Sequence, residues 1–155
     1  MKRRDFIKIG AAGAAASTLA APATAQGVRQ WNMVTAWPPG LPGLGAGVER
    51  LVERIETASG GRLSIKVFAG GELVPPFEVL DAVMNGTAQI CHDPSYYHRG
   101  TIPAAQYFTV APFGFTAPEM DAWLYYGGGL ELWHELYEPY GLIAFPAGNT
   151  CTQTL

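Results

Sequence analysis

Residues 30–68 read QWNMVTAWPPGLPGLGAGVERLVERIETASGGRLSIKVF, and this stretch decides the fold class. Its first part, Gln30–Ala36, is typical of a strand, because Trp31, Met33 and Thr35 alternate with their neighbours and share one face. The proline- and glycine-rich run that follows must be a loop, since neither a helix nor a central strand tolerates so many breakers.

A helix and a second strand follow this loop. Apolar residues recur at helical spacing over Leu44–Ala58 and charged residues occupy the opposite face, which predicts an amphipathic helix. Ser59–Gly61 ends that helix, because glycine readily takes the left-handed conformation found after helices. Leu63, Ile65 and Val67 then alternate with polar residues, as in a half-buried strand.

The rest of the chain continues the alternation of strands and helices. We predict a short helix over Phe77–Met84, a brief strand over Ala88–Cys91, a helix entered at Pro118 with Thr116 as its cap, a helix carrying Leu130, Trp133, Leu136, Tyr137 and Tyr140, and a strand over Leu142–Phe145. The order β-α-β-α-β-α-α-β predicts an α/β fold with a mostly parallel sheet covered by helices.

The first 25 residues have the form of an export signal. A basic start containing Arg3 and Arg4 precedes an Ala- and Gly-rich apolar run and an A-x-A site, which predicts cleavage after Ala25. The sequence RRDFIK also matches the twin-arginine pattern, so we expect residues 1–25 to be a twin-arginine-type signal peptide. Residues 26–155 would then function in the periplasm of a bacterium.

Composition excludes some functions. Of the 155 residues 48% are hydrophobic and 15% charged, which argues against intrinsic disorder. Removal of the signal changes the formal charge from −3 to −6, and so acidic a chain is unsuited to general nucleic-acid binding. Cys91 and Cys151 could pair in an oxidising compartment, but the sequence leaves that pairing open.

Two patterns suggest catalysis or phosphate binding without a complete motif. His92, Asp93 and His98 could ligate a metal, although their spacing matches no established zinc motif. The glycines of residues 40–47 lack the following residues of a phosphate-binding loop. A tight turn is the simpler interpretation, although the amides at this helix start could bind a carboxylate weakly.

Tyr96 and Tyr97 are stronger candidates for ligand contact. They follow a predicted strand end and a Pro-Ser turn, which is where an open α/β sheet usually holds its ligand. A tyrosine hydroxyl can donate a hydrogen bond to a carboxylate while its ring shields the bond from water. Aromatic packing under a loop is the alternative.

Several short stretches occur in an order that resembles one protein family. They are Trp37-Pro38, Ser59-Gly60-Gly61-Arg62-Leu63, Gly71-Glu72-Leu73-Val74-Pro75, Asp81-Ala82-Val83, Pro112-Phe113-Gly114, Ala122 to Gly129 and Gly148-Asn149-Thr150. Together they resemble the solute-binding subunit (DctP family) of tripartite ATP-independent periplasmic (TRAP) transporters, in particular the branch that binds 2-oxo acids such as pyruvate.

The resemblance implies a type II periplasmic-binding-protein fold, in which two α/β lobes close over a carboxylate ligand. It implies that Tyr96 and Tyr97 contact the substrate, and that Gln153 contacts both the substrate and a sodium ion. It also implies delivery of the ligand to membrane permease subunits, no catalysis and no organic cofactor. A homodimer of the full-length protein stays open.

The chain departs from the family pattern near its end. Cys151 stands where a glycine is usual, and Thr154-Leu155 replaces the expected Met-Gly. The family's carboxylate-binding arginine would lie beyond residue 155, so we expect residues 26–155 to be a truncated N-terminal part. The alternatives are a small periplasmic metal-dependent enzyme using His92, Asp93 and His98, and a complete partner-binding domain.

Overall fold

The computed structural model of the chain describes residues 27–109 and 111–149. In chain order its strands and helices are β1 (Arg29–Thr35), α1 (Leu44–Ala58), β2 (Leu63–Phe68), α2 (Val79–Met84), β3 (Ile90–His92), α3 (Ala117–Tyr126) and α4 (Gly129–Tyr137). Three 3-10 turns lie at Ser95–His98, Pro103–Phe108 and Glu138–Tyr140.

The three strands form one parallel sheet in the order β2-β1-β3. Met33 in the central strand pairs with Val67 on one side and with Ile90 on the other. Thr35, at the end of β1, pairs with His92. The predicted parallel α/β arrangement is therefore confirmed, and the carboxyl ends of all three strands meet at one edge of the sheet.

Helices cover both faces of the central strand. Met33 packs with Val48 and Val52 of α1, whereas its neighbour Val34 packs with Val79 of α2. Adjacent residues of a strand point to opposite faces, so one strand can contribute to two cores. Burial of each such side chain contributes about 1.5–3 kcal/mol of hydrophobic free energy. The sequence predicted one face of this strand from Trp31, Met33 and Thr35. In the structure the strand buries apolar side chains on both of its faces.

Two predicted boundaries were wrong by two residues. α2 begins at Val79 rather than Phe77, because the amide of Glu78 donates to the carbonyl of Pro75 in a preceding turn. β3 begins at Ile90 rather than Ala88, because the amide of Ala88 donates to the carbonyl of Ala82 at the end of α2. In both places a turn bond precedes the regular element.

Helices α3 and α4 form a second cluster. Its core contains Leu80, Ile102, Ala105, Phe108, Leu124, Trp133, Tyr137 and Ala144. The Gly127–Gly129 turn between the helices has two physical causes. Gly128 is left-handed, with φ of 83°, and a Cβ on Gly129 would lie 2.7 Å from the Trp123 ring. The two predicted helices are thus separate, and the turn allows one to pack closely on the next.

The predicted strand over Leu142–Phe145 is absent from the described part of the chain, where residues 142–149 form neither a strand nor a helix. The amide of Leu142 instead donates to the carbonyl of Tyr137, and the carbonyl of Ala144 bonds with Nε2 of His134. These bonds tie the segment to α4. Among the described residues, the helices are too short or too polar to span a bilayer.

Candidate functional site

The carboxyl edge of the sheet brings together three chain segments. Trp37 follows β1, Gly70 follows β2, and His92 ends β3. The amide of Gly70 donates to the carbonyl of Trp37 at 2.7 Å. A Cβ on Gly70 would lie 3.1 Å from the backbone of Ala36, so the close approach of these segments requires a residue without a side chain.

Tyr96 and Tyr97 lie at this edge, as the sequence predicts. They occupy the 3-10 turn that follows Pro94, and their rings are 4.9 Å apart in an edge-to-face arrangement. Tyr97 also contacts Phe77 and Trp37, with ring centroids at 4.9 and 6.4 Å. We call Trp37, Phe77, Tyr96 and Tyr97 the aromatic cluster.

Two members of the aromatic cluster were not predicted as site residues. Phe77 was assigned to a helix, but it lies before α2 and is 70% exposed. Trp37 was noted only for its resemblance to the family. Its position directly after a strand and before Pro38-Pro39 was the available signal, since such positions lie at the ligand-binding edge of an α/β sheet.

The tyrosine hydroxyls are suited to donating hydrogen bonds. Partial burial raises the pKa of Tyr97, and the neighbouring Tyr96 and the charge of Asp93 raise it further. Tyr97 is consequently neutral at physiological pH and retains its proton. A neutral phenol donates to a carboxylate, whereas a phenolate would repel it.

His92 is held by bonds that compete with metal binding. Its Nδ1 accepts a hydrogen bond of 2.8 Å from Nε1 of Trp37. Burial lowers the pKa of His92, while a hydrogen bond to the backbone of Ala147 and the charge of Asp93 oppose that shift. Both ring nitrogens are therefore engaged, and the imidazole is neutral at physiological pH.

Asp93 and His98 form a separate buried pair. Nε2 of His98 contacts Oδ2 of Asp93 in an ion-pair arrangement, with both side chains almost inaccessible. The geometry is too poor for a proper hydrogen bond, and neither atom has another polar partner within the described residues. Asp93 and His98 lie on either side of Tyr96 and Tyr97 in the sequence, so their contact fixes the turn that carries the two tyrosines.

The predicted metal ligands are not assembled into a metal site. Within residues 27–109 and 111–149, no three His, Cys, Asp or Glu side chains come together as a ligand set. His92 bonds to Trp37 and Ala147, while His98 contacts Asp93. The three residues hold the sheet edge together, which explains their clustering in sequence without a metal.

The glycine-rich loop forms the expected tight turn. Gly40 and Gly43 adopt positive φ values of 68° and 81°. The amides at the start of α1 are used within the chain, since those of Gly45 and Ala46 both donate to the carbonyl of Leu41. These amides are not available to the carboxylate that the sequence suggested they could bind.

Cys91 is an unreactive thiol. Burial raises its pKa to about 12, with a further contribution from the charge of Asp93, so the nucleophilic thiolate is scarce at neutral pH. The pairing with Cys151, which the sequence leaves open, falls outside the described residues. So do the predictions for Arg3, Arg4, Ala25 and Gln153.

His134 and the aromatic residues that end at Phe115 differ in their surroundings. His134 bonds to the Ala144 carbonyl at 2.7 Å. Phe108 lies in the core, whereas Phe113 and Phe115 are exposed. Helical spacing does not reveal the bond of His134, because that bond depends on the path of the segment after α4.

Comparison with known proteins identifies the family. The profile of the DctP family, bacterial extracellular solute-binding protein family 7, matches residues 33–154. A twin-arginine translocation signal matches residues 1–20. The chain is 40% identical to a monocarboxylate 2-oxoacid-binding periplasmic protein from Nostoc sp., with 99% of this chain and 44% of that protein aligned.

Solved structures give the same assignment. A TRAP periplasmic solute-binding protein from Pseudoalteromonas atlantica, with bound sodium and pyruvate, is 36% identical with a TM-score of 0.75. It aligns with 77% of this chain and 36% of its own. One from Colwellia psychrerythraea, with bound calcium and pyruvate, is 33% identical with a TM-score of 0.75, over 77% of this chain and 37% of its own.

These matches decide between the alternatives that the sequence left open. The chain spans under half the length of these relatives. The family comprises transporter solute-binding proteins rather than enzymes, which overturns the metal-dependent enzyme and the unrelated partner-binding domain. The signal and the family together indicate the periplasm. The chain therefore belongs to the DctP family of bacterial extracellular solute-binding proteins.

Proposed function

We propose that the chain is part of a periplasmic receptor that captures an organic acid, a 2-oxo acid or another monocarboxylate, and delivers it to a TRAP membrane permease. The observation that carries the proposal is the tyrosine pair at the carboxyl edge of the sheet. The chain that holds this pair is similar to a monocarboxylate 2-oxoacid-binding protein from Nostoc sp.. No bond is made or broken in this function.

The aromatic cluster would form one wall of the ligand site. The rings of Tyr96 and Tyr97 are 4.9 Å apart, and the protonated hydroxyl of Tyr97 can donate to a carboxylate oxygen. Hydrogen bonds to a charged group contribute about 1.5–3 kcal/mol each. The surrounding rings of Trp37 and Phe77 would exclude water and strengthen these bonds.

Gln153 and a cation belong to the finer part of the proposal. By resemblance to the family, the Gln153 amide oxygen would contact a sodium ion bound beside the substrate. Relatives with pyruvate hold sodium in one case and calcium in another. Amide and carboxylate oxygens suit both cations. The identity of the ion is therefore best tested by replacing sodium with calcium in the binding measurement. Cleavage after Ala25 and a homodimer of the full-length protein are separate proposals, and the proposed ligand binding does not depend on them.

The test is a thermal-unfolding series on the whole gene product that contains this chain. A ligand that binds only the folded state stabilises it by about 2.7 kcal/mol at one hundred times Kd. We expect pyruvate with sodium to raise the Tm of the wild type. Tyr97→Phe should reduce that rise, because it removes one donor and keeps the ring.

Tyr126→Phe is the matched control, since Tyr126 is 92% exposed and lies on α3, outside the aromatic cluster. It should leave the pyruvate-dependent rise unchanged. An equal loss in both variants, or no rise in the wild type with either sodium or calcium, would contradict the proposal.

A further inference from the structure

His92 joins three segments that are far apart in sequence. It is the last residue of β3, and its main-chain carbonyl accepts a hydrogen bond from the amide of Ala36 at 3.2 Å. Its ring accepts from Trp37 at 2.8 Å and bonds to the backbone of Ala147. One side chain thus contacts the segment after β1 and the segment over residues 142–149.

The bonding partners determine the tautomer of His92. The indole Nε1–H of Trp37 can only donate, so the Nδ1 atom that receives it carries no proton. The proton of the neutral ring therefore lies on Nε2. A second proton on Nδ1 would face the indole N–H, and two donors cannot share one hydrogen bond.

Among the described residues, Asp93 is the charged group that acts on His92, and it favours the protonated ring from the adjacent position. The 142–149 segment contributes no ionisable side chain, and the indole of Trp37 lies against the imidazole ring. Tyr97, whose ring also neighbours Trp37, is a neutral phenol at physiological pH.

We propose that His92 is a positioning residue, which sets the Trp37 ring against Tyr97 and fixes the 142–149 segment to the carboxyl edge of the sheet. Protonation of its ring would release Trp37, and the aromatic cluster would lose its support together with that segment. The link to ligand binding rests on the proposed function, whereas the positioning itself does not.

The chain offers three informative variants. His92→Gln keeps an amide oxygen to accept from Trp37 and an amide N–H to donate to Ala147, but it does not titrate near neutral pH. His92→Phe keeps the ring and loses both bonds. His134→Gln is the control, because His134 bonds to Ala144 in the same segment without touching Trp37.

The experiment is two-dimensional NMR of the indole N–H groups, with the Trp37 signal assigned through its loss in Trp37→Phe. We expect His92→Phe to shift the Trp37 indole signal and the backbone signals of residues 145–149, and to speed solvent exchange of the indole proton about tenfold or more. His92→Gln and His134→Gln should leave the Trp37 indole signal close to its wild-type position. In the wild type, the signal should move as the pH falls below 6.5, and in His92→Gln it should stay in place.

Several results would overturn the proposal. They are an unchanged Trp37 signal in His92→Phe, an equal shift in His134→Gln, or a shift of Trp37 without one in residues 145–149. If His92→Phe does not fold, the pH series decides, and a Trp37 signal that moves equally in the wild type and His92→Gln would contradict the assignment.

A second arm separates this inference from the proposed function. Pyruvate affinity of the whole gene product should fall about tenfold in His92→Phe and stay within about threefold in His92→Gln. If pyruvate fails to bind the wild type, the proposed function fails, and the NMR arm still decides the positioning role. Binding that is unchanged in His92→Phe while Trp37 shifts would contradict the link between the two.

Discussion

The sheet region, residues 29–98, and the helical region, residues 103–149, differ in how they treat apolar side chains. In the sheet region, β1 buries Met33 and Val34 on opposite faces under α1 and α2. Among the described residues, the helical region has one buried cluster, and its outer surface is rich in exposed apolar residues. These are Tyr107, Phe113, Phe115, Tyr125, Tyr126, Leu132, Ile143 and Phe145.

The two regions therefore have different roles. The sheet region carries the aromatic cluster and the polar contacts of His92, Asp93 and His98, all at one edge. The helical region supports that edge from behind, since Leu80 of α2 belongs to the helical core and Cys91 of β3 packs against it. Substitutions should therefore affect stability in both regions but affect ligand binding directly only at the sheet edge.

The largest expected effect is in the core of the sheet region. Met33 is 1% exposed, and Met33→Ala should lower the free energy of unfolding by about 2–5 kcal/mol, because it leaves a cavity under α1. Met84→Ala is the control, since Met84 is 37% exposed at the end of α2. Chemical denaturation measures both. Equal losses would mean that the core between β1 and α1 is not closed.

A smaller effect is expected at the turn of the helical region. Gly129→Ala places a Cβ about 2.7 Å from the Trp123 ring and should cost about 1–3 kcal/mol through overpacking. Gly47→Ala in α1 is the control, because nothing lies within 4 Å of its Cβ position. It should be neutral or stabilise the protein by about 0.5–1 kcal/mol. A neutral Gly129→Ala would contradict the close packing of α3 on α4.

The smallest expected effect is a pH-dependent one at the start of α3. The backbone amide and hydroxyl of Thr116 donate to the Glu119 carboxylate at 2.8 and 2.7 Å. These bonds lower the pKa of Glu119, the backbone bond most strongly. A lowered pKa in the folded state means stability that is present above the unfolded pKa and is lost as the pH falls through the folded one.

The wild type should therefore exceed Glu119→Gln in Tm at pH 7, and the two should converge as the pH falls through the lowered pKa of Glu119 in the folded state. Glu131→Gln is the matched control, because left-handed Gly128 precedes α4 and provides no side-chain cap. A Tm difference for Glu119→Gln that stays constant from pH 7 to pH 3 would exclude the charged cap.

Local patterns predicted the elements of the fold well. The helical period of Leu44–Ala58 gave α1 with its observed bounds. The period of two in Leu63, Ile65 and Val67 gave β2, which extends one residue further, to Phe68. Each of these elements buries one face, and the periodic spacing of its apolar residues marks that face in the sequence. Residues 142–145 look equally apolar, but a strand also needs a partner, and their backbone bonds to α4.

The candidate site was predicted less completely. Tyr96 and Tyr97 could be placed at a strand end from the turn that precedes them. The bond between Trp37 and His92 joins residues 55 positions apart, and the contact of Phe77 with Tyr97 depends on a turn before α2. Such contacts follow from strand order, which the sequence of a single chain does not display.

The most direct test of the central claim is the crystal structure of the whole gene product with pyruvate and sodium. The proposed function predicts the pyruvate carboxylate within hydrogen-bond distance of a hydroxyl of Tyr96 or Tyr97, beside the rings of Trp37 and Phe77. Pyruvate bound elsewhere, with both tyrosine hydroxyls directed away from it, would contradict the assignment of this sheet edge as the ligand site.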